Sequence, residues 1–226
     1  MEAALGRPNA DACFILKELL YLSRKGSCGV LNWLRGRLSK AQDVLGRAAS
    51  SLLPEPSAWT LIGLLLSVLA GIAYWSWPPW SGGLLVLASG FLDVVDGAVA
   101  RFTGKASPAG ALLDSGVDRL AEVAIYAGIA AGSRAPFLLV LLALAFSMMV
   151  SYLRARMESL SKERPRGIEL GERAERLLAL GVLSIAGLIY VGVALVLALA
   201  LETSCERFAL YWRARGAAPP TSKKLF

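Results

Sequence analysis

After Pro56 the chain runs in long apolar stretches separated by short polar or helix-breaking groups. The pattern predicts helices near Ala58–Trp77, Trp80–Arg101, Pro108–Gly132, Pro136–Met157, Ala174–Tyr190 and Val193–Trp212. Each is close to the roughly 20 residues that cross about 30 Å of hydrocarbon. The last two barely separate, because the apolar run from Leu177 to Leu201 is interrupted only around Gly192. Yet Leu177 to Trp212 spans 36 residues, too many for one tilted helix and enough for two. The expected fold class is therefore all-α, a polytopic membrane protein with six transmembrane helices.

Upstream the periodicity changes. Leu31, Leu34, Leu38, Ala41, Leu45, Ala48 and Leu52 recur in alternating steps of three and four, with Arg35, Arg37, Lys40 and Arg47 between them. That is the stripe of an amphipathic helix lying in the membrane interface. The expected organisation is an N-terminal extension over 1–52, a six-helix domain over 53–215 and a tail over 216–226. Residues 1–26 carry Glu2, Arg7 and Asp11 ahead of any apolar run, a pattern unlike a secretory signal.

Charge placement tests the helix count independently. Lys and Arg number eight before residue 56, two between the second and third spans (Arg101, Lys105), seven from Arg154 to Arg176 and five from Arg207 onward. Of the alternate connections, only that between the third and fourth spans carries a base, Arg134. The positive-inside rule then puts both termini and the loops after the second and fourth spans in the cytoplasm, in a multi-pass protein of the cell membrane. The net charge of +7 is accounted for by these anchoring residues and calls for no nucleic acid. The absence of histidine removes imidazole acid–base chemistry, and three scattered cysteines provide neither a disulfide framework nor a metal knuckle.

Against this apolar background, four aspartates fall within 26 residues: Asp93, Asp96, Asp114 and Asp118. The first two are three apart and the last two four apart, so each pair shares a helix face. A charged group near a bilayer centre costs about 2.5–3.5 kcal/mol, and clustered carboxylates repel one another. A helix cap or a salt bridge is the commoner explanation for an Asp pair, but four acids exceed the nearby bases Arg101 and Arg119. Gly97 and Ala100 supply a small-residue face beside them, while Ser107 and Pro108 mark a helix start that puts Gly110, Asp114 and Asp118 on one stripe. Hard oxygen ligands of this kind select Mg²⁺ or Mn²⁺ held jointly with substrate phosphate. A cation channel or carrier is an alternative that intramembrane acids also serve, although Arg101 opposes cation transit. Intramembrane prenyltransferases use Asp pairs around Mg²⁺ and diphosphate too.

The string Asp93-x2-Asp96-Gly97-x2-Ala100-Arg101-x8-Gly110-x3-Asp114-x3-Asp118 resembles the signature of the CDP-alcohol phosphatidyltransferase family, with every fixed position present. More loosely the likeness covers residues 50–215, including Thr60 and Gly63. It implies a six-span membrane enzyme, usually a homodimer, that cleaves a CDP-linked lipid and transfers the lipid phosphate to an alcohol. On that resemblance Asp93, Asp96 and Asp114 hold the metals, Asp118 completes a second metal site and acts as the base, and Gly97, Ala100, Arg101, Ser107 and Gly110 line the CMP pocket.

The acceptor is addressed by three further strings: Ser151-Tyr-Leu-Arg154-Ala-Arg156, Gly171-Glu172-Arg173-Ala174-Glu175-Arg176, and Glu206-Arg207. They resemble the inositol-phosphate branch of the family, with Ala174 where a proline is usual. A phosphorylated acceptor, inositol 1-phosphate, is therefore expected, bound by Ser151, Arg154, Arg173 and Arg207, because the planar guanidinium fork pairs with phosphate oxygens. Arg156, Arg164, Arg166 and Arg176 read as helix-end anchors. Glycerol 3-phosphate is the rival acceptor, and the lipid tail, diacylglycerol or archaeol, stays open.

Overall fold

Prolines and a serine start the membrane helices. Pro56 and Pro79 stand in the first turns of two of them, where a missing N–H costs nothing. Ser107 caps a third, its Oγ accepting from Gly110 N at 3.1 Å with Pro108 following it, as the sequence predicts. In the computed structural model, which describes residues 42–160 and 171–216, seven helices follow one another. They are α1 (42–52), α2 (Pro56–Ser76), α3 (Pro79–Phe102), α4 (Pro108–Ala131), α5 (Phe137–Leu160), α6 (Arg173–Ile185) and α7 (Ile189–Gly216). There is no strand among the described residues. The predicted extension before residue 42, Arg164, Arg166 and the tail after 216 lie outside them.

Among the described residues four helices are long and apolar enough to cross a bilayer: Pro56–Ser76, Pro79–Phe102, Phe137–Ser159 and Ile189–Leu210. α4 has 24 residues but carries Asp114, Asp118, Arg119 and Glu122. α6 has only 13 residues, about 20 Å of helix, short of the hydrocarbon thickness. Its end falls at Gly187, not near Gly192 as the apolar run suggests. Leu188 N donates to Leu183 O at 2.7 Å and Gly187 N to Ser184 O at 3.1 Å, with Gly187 at φ +76°. This Schellman arrangement needs a left-handed residue, which glycine supplies. Gly192 sits inside α7, packed on Leu180 and Leu183.

α2 packs on α3 and α4, α3 on α6, and α5 and α6 on α7. Glycines bring helix backbones into contact at several crossings. A side chain on Gly128 of α4 would run into the Gly71 backbone of α2, and one on Gly83 of α3 would stand 2.6 Å from Gly181 O of α6. Tyr74, Val86, Ile125, Ile129, Leu180 and Val193 fill the space between. Outward faces are apolar, as at Leu61, Leu65 and Ile72.

α1 leans on α3 through its small residues. Gly46 lies against Ala98 O, and Ala49 packs with Val95 and Val99. The predicted stripe is only partly the buried one: Leu45 is half-buried, whereas Ala48 and Leu52 are exposed. Close backbone approach at Gly46 turns the helix toward its small face.

Candidate active site

α3 and α4, both packed on α2, bring acids from the two Asp pairs together. One carboxylate oxygen from each of Asp93, Asp114 and Asp118 falls within 4.8 Å of the others. Asp96 stands apart from that trio. It is buried, and its Oδ2 accepts from Thr60 Oγ1 at 2.8 Å. Asp114 Oδ1 is buried with no hydrogen-bond partner, an orphaned acceptor of the kind a cation satisfies. Arg173 and Arg119 touch the cluster, so three carboxylates face two guanidiniums. Donor type, spacing and residual charge all fit a divalent ion such as Mg²⁺ or Mn²⁺.

Beside the trio opens a cavity of about 440 Å³ between the start of α2, the end of α3 and the start of α4. Each residue predicted for the CMP pocket lines it, namely Gly97, Ala100, Arg101, Ser107 and Gly110, together with Asp96 and Asp114. Arg101 folds over Gly97, its Nη1 3.3 Å from where a Cβ would stand. At the rim Lys105 Nζ meets Glu55 Oε2 at 2.5 Å.

The predicted acceptor residues divide into three groups. Arg173 Nη1 lies 2.7 Å from Asp118 Oδ1 and 3.2 Å from Asp93 Oδ1, against the acids themselves. Arg154 and Arg207, from α5 and α7, meet on Glu172, at 2.7 Å and 2.5 Å. Ser151 Oγ accepts from Arg119, which also reaches Asp118 Oδ2 at 3.5 Å.

The CDP-alcohol phosphatidyltransferase family model matches residues 54–209. The chain belongs to that family. Archaetidylinositol phosphate synthase of Pyrococcus horikoshii is 34% identical over 178 residues, covering 79% of this chain and 94% of the relative. The corresponding synthase of Methanothermobacter thermautotrophicus is 41% identical over 160 residues, covering 68% and 81%. Among solved structures, the fold is similar to Mycobacterium tuberculosis phosphatidylinositol phosphate synthase with CDP-DAG bound. The TM-score is 0.66 at 23% identity, with 83% of this chain and 99% of that one covered. The same synthase in complex with manganese and citrate has a TM-score of 0.65, also at 23% identity, covering 82% and 93%.

A CDP-alcohol phosphatidyltransferase is an enzyme of phospholipid synthesis, and the signature residues of this one converge as their spacing implies. Three neighbours of the cluster were not assigned from sequence: Arg119, Glu122 and Glu172. Glu122 continues the stripe of Asp114 and Asp118 at the next step of four, a periodicity that could have flagged it. It is 1% exposed, with Arg176 Nη2 at 3.1 Å and Arg173 Nε at 3.7 Å from its Oε1. Arg176 is therefore an internal ion-pair partner, not a helix-end anchor.

Proposed function

We propose that the protein transfers the lipid-phosphate group of a CDP-linked lipid, CDP-diacylglycerol or CDP-archaeol, to inositol 1-phosphate and releases CMP. The observation that carries this reading is the adjacency of cavity, acids and arginines. A cavity lined by Gly97, Ala100 and Gly110 borders the Asp trio, and Arg173 joins that trio to the arginine pair on Glu172. The names of the archaeal relatives support the acceptor.

In this reading CMP occupies the cavity, where small residues admit it to the backbone and Arg101 and Ser107 bind its polar groups. Asp93, Asp96, Asp114 and Asp118 hold Mg²⁺ or Mn²⁺. A bound divalent ion supplies charge neutralisation on the diphosphate and the departing CMP. The acceptor hydroxyl oxygen bonds to the lipid-side phosphorus as the P–O bond to CMP breaks in line. Asp118 accepts the hydroxyl proton as the new bond forms. Ser151, Arg154, Arg173 and Arg207 bind the acceptor phosphate and orient its alcohol.

The same reading has α4 and α6 crossing the bilayer with the four more apolar helices, six spans in all, α6 being extended by the turn over Ala186–Leu188. Both termini and the acids face the cytoplasm, and protomers pair as homodimers. Exposed Trp75, Trp77 and Trp80, at the helix ends remote from the acids, form an aromatic belt, which supports those ends lying at a membrane–water interface.

The test offers purified protein in nanodiscs a CDP-lipid, Mn²⁺ and, in turn, inositol 1-phosphate, glycerol 3-phosphate, inositol and serine. CMP release with a lipid phosphoinositol product supports the proposal. Preference for glycerol 3-phosphate reassigns the acceptor, and no CMP with any acceptor refutes the reaction.

A further inference from the structure

Glu172 is the N-cap residue of α6, yet its carboxylate makes no capping hydrogen bond. It reaches instead to two other helices. Its Oε2 accepts from Arg154 Nη1 of α5 at 2.7 Å, and its Oε1 from Arg207 Nη2 of α7 at 2.5 Å. Arg207 is 8% exposed and donates through Nη1 to Val150 O. Glu158 takes Arg154 Nε at 3.3 Å, which leaves the Nη1 side facing Glu172. Two guanidinium forks thus converge on one pair of oxygens, the geometry that recognises phosphate, and the occupant is the chain's own carboxylate. A buried guanidinium without a counter-anion is an expensive state, so Arg207 requires an anion whether or not substrate is present.

We propose that Glu172 is a specificity-determining residue of the acceptor site: its carboxylate holds the place of a phosphate monoester between Arg154 and Arg207 and yields only to an anion able to pair with both. The inference rests on the acceptor reading above. A phosphate monoester brings three terminal oxygens and a charge of roughly −1.5 to −2 near neutrality, against two oxygens and a single charge on Glu172. It wins the exchange. A neutral polyol has no charge to offer the two arginines, and the clamp stays closed on Glu172. Arg173, the next residue, touches Asp93 and Asp118, so the exchange takes place one residue from the reacting groups.

The experiment is isothermal titration of inorganic phosphate and of inositol 1-phosphate into the Mg²⁺-loaded protein in nanodiscs, for wild type, Glu172→Gln and Glu172→Ala. Turnover of inositol and inositol 1-phosphate is measured in parallel. Both variants lack the competing charge, so apparent affinity for each phosphate should tighten about 10-fold, as when a closed state holding most of the population is removed. Preference for inositol 1-phosphate over inositol should fall, and the KM for CDP-lipid should not move. The two substitutions differ in shape, so either one that folds is a sufficient test. Phosphate affinity unchanged or weakened in the variants overturns the inference alone. No phosphate binding by any form, in a protein that still consumes an unphosphorylated alcohol, overturns the acceptor reading and the inference together.

Discussion

Arg176 Nη2 and Glu122 Oε1 lie 3.1 Å apart with both side chains 2% exposed. Arg176 Nη1 also donates to Gly171 O at 2.7 Å, so this pair ties α4 to the turn that opens α6. Removing one partner of a buried pair strands the other's charge, at a cost of about 3–5 kcal/mol. Glu122→Ala and Arg176→Ala should each lower the unfolding midpoint sharply in detergent, while the double change Glu122→Leu with Arg176→Met should recover most of the loss. Thermal unfolding of the three variants checks this.

Asp114 is the acid whose Oδ1 has no hydrogen-bond partner, so Asp114→Asn sacrifices little of the folded protein's own bonding. It should leave the unfolding midpoint near wild type. CMP release should nevertheless fall by about 10²-fold or more, the range for losing one preorganised charge-stabilising group. Chelation of divalent ions should abolish CMP release in wild type, and added Mn²⁺ or Mg²⁺ should restore it. A chelator-resistant reaction would refute the metal assignment.

Thr60 Oγ1 donates to Asp96 Oδ2 at 2.8 Å in a buried setting. Thr60→Val keeps the shape and leaves that carboxylate short of a donor, a penalty of about 1–3 kcal/mol. Because Asp96 borders the cavity assigned to CMP, the loss should appear as a raised KM for CDP-lipid with the acceptor KM little changed. Steady-state kinetics with each substrate varied in turn separates the two.

At the α2–α4 crossing the Gly128 Cα faces the Gly71 backbone, and relief would have to come from main chain, not from a flexible side chain. Gly128→Val should therefore prevent the helices from closing and abolish a monodisperse folded protein. Gly116, with nothing within 4 Å of its would-be Cβ, is the control on the same helix, and Gly116→Ala should fold normally. Size-exclusion profiles of the two variants distinguish them.

Much of the fold was legible in the sequence because its strongest signals are physical extremes: unbroken apolar runs, and four acids at helical spacing among them. Ser107 and Pro108 marked the start of α4 correctly, since capping chemistry is local. Gly187 was harder to recognise, because an apolar run gives no sign of which glycine turns left-handed. Gly97, Ala100, Arg101, Ser107 and Gly110 line one cavity because their spacing along α3 and α4 fixes which face of each helix they share. The arginines were less legible. Arg173, Arg154 and Arg207 are alike in type, and only tertiary contact sends the first to Asp118 and the other two to Glu172. Glu122 and Arg176 illustrate the same point, since their pairing joins residues 54 apart in the chain.

The glycine crossings separate two kinds of evolutionary freedom. Where α4 meets α2 at Gly71 and Gly128, main chain rests on main chain, so the height and rotation of Asp114 and Asp118 are referenced there to backbone. Leu61, Leu65 and Ile72 on the outer surface of α2 take no part in that reference. The hydrocarbon skin can therefore drift to match thicker, thinner or chemically different bilayers while the reaction centre keeps its dimensions, which is how one catalytic frame can serve membranes built from unlike lipids.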